Sequence, residues 1–376
     1  MRYFDHAATT FMRPCAREAW LNASTLLNPA GQYQLGRKAR SVLEDARETV
    51  ATLLGCEPIE VIFTASGTES DNIALVGLWQ ARRAAHNRVV TTTIEHSAVY
   101  ETAQYLKSQG AHLDILPVTG EGIVHDPDNF LGEPAAVVSC MWANNETGAI
   151  QPIPEIVAKA QATGSPVHVD AVQAVGKLPI NFHESGITTL AASGHKFGGP
   201  RGVGILLARR SPAPEPLFHG GGQERGLRSG TVDVAGAAGL AAALQEAHAD
   251  MEAEMARVAK LKTQLISAVT ANIPGAVINT PTQSLPTHLN VSFPGAEGDS
   301  LIMLLDAAGI AASTGSACAN GVNRASRILL AQRVAEKLAR GTLRLTMGYT
   351  TTQEDVDHVI QHLAKAVDMA QRAGMA

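Results

Sequence analysis

Short apolar runs alternate with longer helical patterns between about residues 40 and 210, and no other feature limits the fold as strongly. The runs are rich in β-branched residues, and several are followed directly by a helical stretch. Such an alternation is typical of a mainly parallel sheet with helices on both faces. The pattern therefore predicts an α/β domain. Its strand candidates are residues 60–64, 89–93, 136–139, 166–170, 188–192 and 202–207, and its helical stretches are residues 69–86, 98–108 and 154–162.

The composition changes at Gly220, where a glycine run leads into a long Ala-rich helical region. One face of that region is apolar, because Val258, Leu261 and Leu265 keep helical spacing. We therefore expect a long helix that joins the α/β domain to a smaller α+β unit. The elements expected in that unit are strands at residues 288–293 and 342–347, a helix from residue 299 and a last helix from residue 353.

The charge balance and the cysteine usage exclude several classes of protein. Thirty basic against thirty-five acidic residues give a formal charge of −5, so nucleic acid is not expected as a direct partner. Charged residues are only 17% of the chain, which favours an oligomer. The four cysteines lack the spacing of a metal site or a disulfide framework, and this cysteine usage is typical of proteins of the reducing cytosol. With no signal peptide and no apolar run of roughly 18 residues, we expect a cytoplasmic protein without a membrane partner.

A candidate anion site lies at Ser66, Gly67 and Thr68, which follow a strand and open a helix. Free backbone N–H groups and the helix dipole bind anions at such a position. The chain has no Walker lysine after this glycine and no complete G-x-G-x-x-G after a strand, so a nucleotide is not favoured. Taken alone, a helix cap at Ser66 explains these residues better than a ligand site does.

A lysine in a glycine-rich stretch makes a ligand site more favourable than a helix cap alone. Lys196 follows a buried-type strand and stands among four glycines between residues 194 and 202, so it is not a solvated helix-face lysine. An amine in such a site can form a Schiff base. Asp170 ends an earlier strand, with Gln173 three residues on, and both can stand at the carboxyl edge of the sheet. A Schiff-base lysine, an upstream aspartate and a phosphate cup are what pyridoxal 5'-phosphate (PLP) requires.

These residues stand in motifs that resemble a known family, the class I (NifS/IscS-like) cysteine desulfurases, which are PLP-dependent enzymes of fold type I in the aminotransferase class V family. The likeness extends over nearly the whole chain, and the order and spacing of the motifs make chance improbable. It implies a large PLP-binding α/β domain at residues 13–252, and a small α+β domain of residues 1–12 and 253–376 that carries a catalytic cysteine loop. The motifs are residues 3–10, 64–72, 93–96, 144–148, 228–231 and 313–318.

The resemblance implies a role for each residue around the cofactor ring. Lys196 carries the Schiff base and later moves protons on the substrate carbon. Asp170 keeps the ring nitrogen protonated, and Gln173 hydrogen-bonds the phenolic oxygen. His96 stacks on the ring face, where it can also transfer a proton; by itself a core histidine is the simpler interpretation.

The resemblance also implies the phosphate and substrate contacts. The phosphate is bound by the start of the helix that follows Ser66 and by the loop that carries Lys196. A threonine from the second subunit of a homodimer completes the phosphate contacts. Asn144 and Arg344 hold the substrate carboxylate, a task that suits a guanidinium because its paired donors match two oxygens. The phosphate-binding residues are Gly67, Thr68, Ser193, His195 and Thr231.

Cys318 determines the reaction that the resemblance implies. It stands among small polar residues, a composition typical of a loop and not of a packed core. The substrate L-cysteine gives its sulfur to the Cys318 thiolate as a persulfide and leaves as L-alanine. Cys15, Cys56 and Cys140 match no family nucleophile and are expected to be structural. The sulfur then passes to an acceptor protein, which is an iron–sulfur scaffold or an enzyme of tRNA or cofactor thiolation.

Two alternative functions stay open at this point, and the sequence differs from the family pattern in two places. A selenocysteine lyase would use the same apparatus, and a non-catalytic α/β protein could bind a phosphate ligand at residues 66–68. Gly31 and Tyr33 stand where the family commonly has serine and histidine. The chain ends at Ala376, whereas members that serve the general iron–sulfur scaffold usually carry a longer tail. The sequence therefore leaves the sulfur acceptor undetermined.

Overall fold

The computed structural model describes residues 1–125, 127–315 and 325–374. Strands in these ranges form one large sheet and two small ones. The central strands of the large sheet are buried along their whole length, as their continuous apolar runs require. In chain order the strands are β1 Arg2–Tyr3, β2 Val61–Thr64, β3 Arg88–Thr92, β4 His112–Leu116, β5 Val137–Ser139, β6 Val167–Asp170, β7 Thr189–Ser193, β8 Gly204–Ala208, β9 Val277–Ile278, β10 His288–Ser292, β11 Ile310–Ala311 and β12 Thr342–Thr346.

The large sheet has seven strands in the order β2-β8-β7-β6-β5-β3-β4. All neighbouring pairs from β7 to β4 are parallel, whereas β8 is antiparallel to both β2 and β7. The carboxyl ends of β6 and β7 lie side by side, with Asp170 opposite Ala191. This arrangement confirms the predicted α/β fold with a mainly parallel sheet.

Helices in the described ranges connect these strands. In chain order they are α1 Pro14–Ala23, α2 Gln34–Leu54, α3 Gly67–Arg82, α4 Ser97–Ser108, α5 Pro127–Leu131, α6 Ile153–Ala162, α7 Phe182–Ser185, α8 Val234–Asn272, α9 Gly298–Ala307, α10 Arg327–Ala331, α11 Glu336–Ala339 and α12 Gln353–Gly374.

The large sheet is covered on both faces because successive strand residues point to opposite sides. In β2, Ile62 belongs to an apolar cluster with residues of α3 and α4. Its neighbours Val61 and Phe63 belong to a second cluster with residues of α2, α6 and the first part of α8. The two faces of the sheet are therefore packed by different helices.

Helix α8 contributes to two separate apolar clusters. Its 39 residues correspond to a length of about 58 Å at 1.5 Å per residue. The residues up to Ala247 belong to the cluster on the large sheet. From Val258 onward they pack with Phe4, α12 and the three-stranded sheet β12-β10-β9. The division of the chain into a large domain at residues 13–252 and a small domain stays a prediction. Such a division requires α8 to change its packing partner near residue 252, and the two clusters show such a change.

Most predicted elements are confirmed, with ends that differ by a few residues. Helix α3, for example, ends at Arg82 and not at residue 86. The prediction missed β4, an edge strand that pairs only with β3, because His112 and Asp114 interrupt its apolar run. The strand expected at the N-terminus of the small domain is β1, whereas its two-residue parallel partner β11 was missed. In the described ranges, none of the helices combines the length and the hydropathy that crossing a bilayer requires.

Candidate active site

A cavity of about 550 Å³ opens at the carboxyl edge of the parallel strands. Polar residues that follow neighbouring strands meet there, because parallel strands end at the same edge of the sheet. His96 follows β3, Asp170 ends β6, and Lys196 follows β7. The N-terminal segment around Asp5 and Arg344 of β12 complete the wall.

Lys196 is held at the cavity by the N-terminal segment. Its Nζ donates to the carbonyl oxygens of Ala7 at 2.6 Å and Ala8 at 2.9 Å. Burial and, to a smaller extent, the Arg344 guanidinium lower the pKa of the amine to about 8, although Asp170 acts in the opposite direction. The lowered pKa increases the fraction of neutral amine, which is the nucleophile that Schiff-base formation needs.

Asp170 presents a fixed carboxylate to the same cavity. It is 4% exposed, and its Oδ1 accepts a hydrogen bond from the Val172 N–H at 2.9 Å. Burial raises the pKa of this carboxyl group, whereas His96 and Lys196 lower it. A cation at this position would therefore be stabilised by Asp170 and would in turn favour its ionised form.

Two further buried carboxyl groups, Asp71 of α3 and Glu95 after β3, line the cavity. Burial and the nearby Asp170 raise the pKa of Glu95 to about 8 and that of Asp71 well above its usual value. His168 lies below the sheet edge, with its Nε2 3.1 Å from Asp71 Oδ1. A cation bound beside Asp170, such as a protonated ring nitrogen, would favour the ionised form of these acids.

His96 caps the first turn of α4 and presents its ring to the cavity. Its Nδ1 accepts from the Ala98 N–H at 3.1 Å, which leaves Nε2 free to carry the proton of a neutral ring. The residue is exposed toward the cavity, but the surrounding protein shields the ring and lowers its pKa; Asp170 raises that pKa and Lys196 lowers it. The imidazole is therefore mainly neutral near pH 7, as stacking on a cationic ring requires.

The N-terminus of α3 forms an anion cradle. Ser66 caps this helix by accepting from the Glu69 N–H at 3.1 Å, so the N–H groups of the first two residues, Gly67 and Thr68, stay available for a ligand. A Cβ at Gly67 would lie 2.6 Å from Val172 Cγ2, which explains the glycine. The structure thus gives Ser66 the capping role while its neighbours line the cavity.

Ser193 and His195 face the cavity beside this cradle. Ser193 ends β7 and is 4% exposed. His195 Nδ1 lies 3.1 Å from Thr9 Oγ1, and burial, assisted by Lys196, lowers the pKa of the ring to about 4. The histidine can therefore donate one N–H to an anion while it stays neutral.

Arg344 is oriented by two acceptors. Nη2 donates to Asp5 Oδ1 at 2.7 Å, and Nη1 donates to the Asn145 carbonyl oxygen at 2.9 Å. Its Nε and the side-chain Oδ1 of Asn145 are buried and without a hydrogen-bond partner among the described residues. Both residues line the cavity, so these groups can contact a ligand there.

The structure places Asn144 behind the cavity wall, in contrast to its predicted role. Its Nδ2 donates to Ile94 O at 3.0 Å, and its Oδ1 accepts from the N–H groups of Glu146 and Thr147, both at 2.9 Å. The residue is fully buried, and these bonds shape the turn that follows it. The side chain that reaches the cavity from this motif is that of Asn145.

One other predicted residue, Thr231, is not brought into this cavity by a single chain. Thr231 is exposed and lines a separate cavity of about 390 Å³ together with Arg47 and Glu224. Cys318 lies outside the described residues, so its position stays a prediction.

The remaining cysteines have environments that disfavour a thiolate. Burial raises the pKa of Cys15 to about 11 and that of Cys56 to about 12. Burial also raises the pKa of Cys140 well above its usual value. Since the thiolate is the reactive form, these three cysteines are poor nucleophiles.

The sequence prediction missed several residues that line the cavity. Asp5, Asp71 and Glu95 stand inside motifs that were noted, but nothing in their spacing indicated a role. Arg327 has no signal in the sequence. Its Nη2 donates to the Glu95 carbonyl oxygen at 2.5 Å, and its guanidinium lies 4.0 Å from the ring centre of Tyr100.

The chain belongs to the aminotransferase class-V family, whose family model matches residues 2–359. Enzymes of this family are PLP-dependent. The chain is 46% identical over 394 residues to the "IscS-like cysteine desulfurase" of Mycobacterium tuberculosis, an alignment that covers 100% of this chain and 98% of the relative. It is 39% identical over 372 residues to the "Cysteine desulfurase NifS" of Azotobacter vinelandii, with 97% and 92% covered.

Solved structures give the same result. A "NifS-like protein" superposes with a TM-score of 0.91 at 35% identity and covers 98% of this chain and 100% of that one. The structure titled "SspA in complex with cysteine" superposes with a TM-score of 0.81 at 29% identity and covers 94% of this chain and 100% of that one. These likenesses confirm the predicted fold-type I architecture and the predicted family.

The residues at the cavity fit PLP by their chemistry. Lys196 supplies an amine, Asp170 supplies a buried carboxylate for the ring nitrogen, and the start of α3 supplies N–H donors for a phosphate. The unpartnered Oδ1 of Asn145 and Nε of Arg344 are further polar groups that a ligand can satisfy.

Proposed function

We propose that this protein is a cysteine desulfurase that removes sulfur from L-cysteine, releases L-alanine and holds the sulfur as a persulfide on Cys318. One observation carries the proposal: the Lys196 amine, the Asp170 carboxylate and the Arg344 guanidinium face a single cavity. PLP bound there supplies an electron sink for a carbanion next to the substrate amino group. The names of the relatives support cysteine as the substrate.

Arg344 binds the substrate carboxylate in this proposal. Asp5 and the Asn145 carbonyl oxygen hold the guanidinium in place, and its buried Nε has no partner among the described residues. We assign the second substrate contact to the side chain of Asn145 in place of Asn144, whose polar atoms are all used within the protein.

Lys196 moves the proton on the substrate carbon. With a pKa of about 8, the free amine can accept a proton near neutral pH and return it later. His96 stands at the same cavity and can hold a proton at Nε2, because its Nδ1 is occupied by the Ala98 N–H.

Sulfur transfer uses the Cys318 thiolate. It attacks the substrate sulfur and forms an S–S bond, while the substrate Cβ–S bond breaks and its electron pair stays on the substrate carbon. That carbon takes a proton, so the products are L-alanine and a persulfide on Cys318. The raised pKa values of Cys15, Cys56 and Cys140 support this choice of nucleophile.

The finer parts of the proposal concern assembly, location and the acceptor. We propose a cytoplasmic homodimer in which Thr231 of each chain binds the PLP phosphate of the other, a role that its exposure permits. The sulfur acceptor is a protein of iron–sulfur cluster assembly or of thiolation, as the names of the IscS and NifS relatives suggest.

The test is to incubate the PLP-loaded protein with L-cysteine, quantify L-alanine and search for added sulfur by mass spectrometry. We expect alanine and one added sulfur on the peptide of Cys318, with none on the peptide of Cys15, which serves as the internal control. Selenocysteine in place of cysteine separates a desulfurase from a selenocysteine lyase. A protein that binds PLP but makes no alanine from cysteine would refute the proposal.

A further inference from the structure

A second lysine, Lys177, lies directly behind the candidate cofactor site. It borders a small cavity of about 20 Å³ beneath that site, and Lys196 lines both cavities. Its Nζ donates to Gln173 Oε1 at 2.9 Å. Gln173 itself faces the larger cavity, so the Lys177 amine is separated from a ligand there by one side chain.

The turn after β6 is built so that Lys177 reaches back to Gln173. The N–H groups of Ala174 and Val175 both donate to Ala171 O at 2.9 Å, which winds the backbone around Gln173 into a single helical turn. Gly176 then adopts a φ of +76°, and a Cβ there would lie 2.9 Å from Phe197 Cβ. The backbone therefore fixes the approach of the lysine.

The two partners of the Gln173 amide determine its orientation. Lys177 is a donor only, so it requires the amide oxygen, and the Ala7 carbonyl is an acceptor only, so it requires Nε2, which donates to it at 3.0 Å. The second N–H of Nε2 is then the hydrogen-bonding group that Gln173 can offer to the cavity. This N–H can donate to a hydrogen-bond acceptor on a ligand, such as an ionised phenolic oxygen.

The charge of Lys177 is not neutralised by a dedicated partner within the described residues. Glu254 acts on it, but that carboxylate is already paired with Arg13 at 3.0 Å. Burial, assisted by the Lys196 and Arg344 cations, lowers the pKa of the Lys177 amine to about 7, although Glu254 acts in the opposite direction. An anionic oxygen near Gln173 would therefore be favoured by this amine.

We propose that Lys177 is a positioning residue for the cofactor: it holds Gln173 as a donor toward the phenolic oxygen of PLP and stabilises that oxygen in its ionised form. The inference rests on PLP binding in the proposed function. It assigns Lys177 no contact with the substrate or with PLP, because its effect is carried by the Gln173 amide.

The test compares two ligands in binding to the apoprotein: PLP and 3-deoxypyridoxal 5'-phosphate, which lacks the phenolic hydroxyl. Lys177→Met removes the donor and keeps the length of the side chain. We expect the dissociation constant of PLP to rise roughly three- to tenfold, as for the loss of one indirect charge-assisted contact, with less than a twofold change for the deoxy analogue. A purely structural role would weaken both ligands equally.

Lys262→Met is the matched control. Lys262 is also partly buried, burial lowers its pKa to about 8, and its Nζ donates to Ser284 Oγ at 2.9 Å and Leu285 O at 3.0 Å, away from the cavity. We expect this variant to leave the ratio of the two dissociation constants unchanged. Should Lys177→Met fail to fold, Lys177→Gln removes the charge and keeps a neutral donor, and we then expect a smaller loss of affinity that is still selective for PLP over the deoxy analogue.

The outcomes are distinct. A selective loss of PLP affinity supports the inference, whereas unchanged affinity, or an equal loss for both ligands, overturns it and leaves the proposed desulfurase intact. A wild-type protein that binds neither ligand would overturn the proposed function and this inference together.

Discussion

Replacement of Arg344 tests how the cavity recognises a substrate carboxylate. Nη2 donates to Asp5 Oδ1 at 2.7 Å, and Nη1 donates to the Asn145 carbonyl oxygen at 2.9 Å. Nε has no hydrogen-bond partner among the described residues. In Arg344→Lys the charge remains, but one ammonium cannot reach both acceptors and the substrate. The loss of one charge-assisted hydrogen bond costs about 1.5–3 kcal/mol, so kcat/KM should fall roughly ten- to 150-fold.

The loss should appear mainly in KM, because the carboxylate is bound alike in the ground state and in the transition state. Steady-state alanine production at varied L-cysteine measures both constants. A variant with kcat/KM within threefold of wild type would refute the assignment of Arg344 to the carboxylate, provided that circular dichroism shows an intact fold.

Arg344→Gln removes the charge and adds a second readout. The Arg344 cation helps burial to lower the pKa of Lys196 to about 8, so its removal should raise that pKa. Covalent capture of PLP by the apoprotein needs the neutral amine, and the pH at which the capture rate is half-maximal should rise by the same amount. Arg344→Lys keeps the charge and should show no such shift, whereas equal shifts in both variants would contradict the electrostatic argument.

The remaining predictions concern three other residues. Lys196→Ala should abolish alanine production while the fold and noncovalent PLP binding persist, which absorbance and circular dichroism report; full turnover would contradict the assignment. Cys318→Ser should form no persulfide, because an oxygen cannot accept the sulfur in this way, whereas the matched Cys140→Ala should stay near wild-type activity. Thr231→Ala should weaken PLP retention about ten- to a hundredfold, as expected for one hydrogen bond to a phosphate, and mixing a bulky substitution at Thr231 with Lys196→Ala should restore activity if the site is shared between subunits.

The sequence was most informative where burial leaves a continuous apolar run that ends in a polar residue. Strands β6 and β7 are buried and predominantly apolar, apart from His168 in β6. Asp170 ends β6 and Lys196 follows β7, and the two meet at one cavity as parallel strands require. The edge strand β4 was missed for the opposite reason, since a strand with one free edge tolerates residues such as His112 and Asp114.

Which of two adjacent asparagines faces the cavity could not be predicted from the sequence. Asn144 uses its Oδ1 to accept backbone N–H groups two and three residues ahead, a local turn that asparagine commonly forms. That turn directs its side chain inward and presents Asn145 to the cavity. Lys177 escaped notice although it stands four residues after Gln173, because a helical turn at that point is not visible in the sequence pattern.

The cavity is lined by acidic and by basic side chains. Asp170, Asp71 and Glu95 are acids of this lining, and Lys196 and Arg344 are its bases. Burial raises the pKa of each of the three acids, so without a cation nearby they tend to keep protons. A protonated ring nitrogen at Asp170 would lower the cost of ionising that acid, whereas Arg344 would bind the carboxylate of the substrate. Cofactor binding and substrate binding would then depend on different charged groups within one cavity.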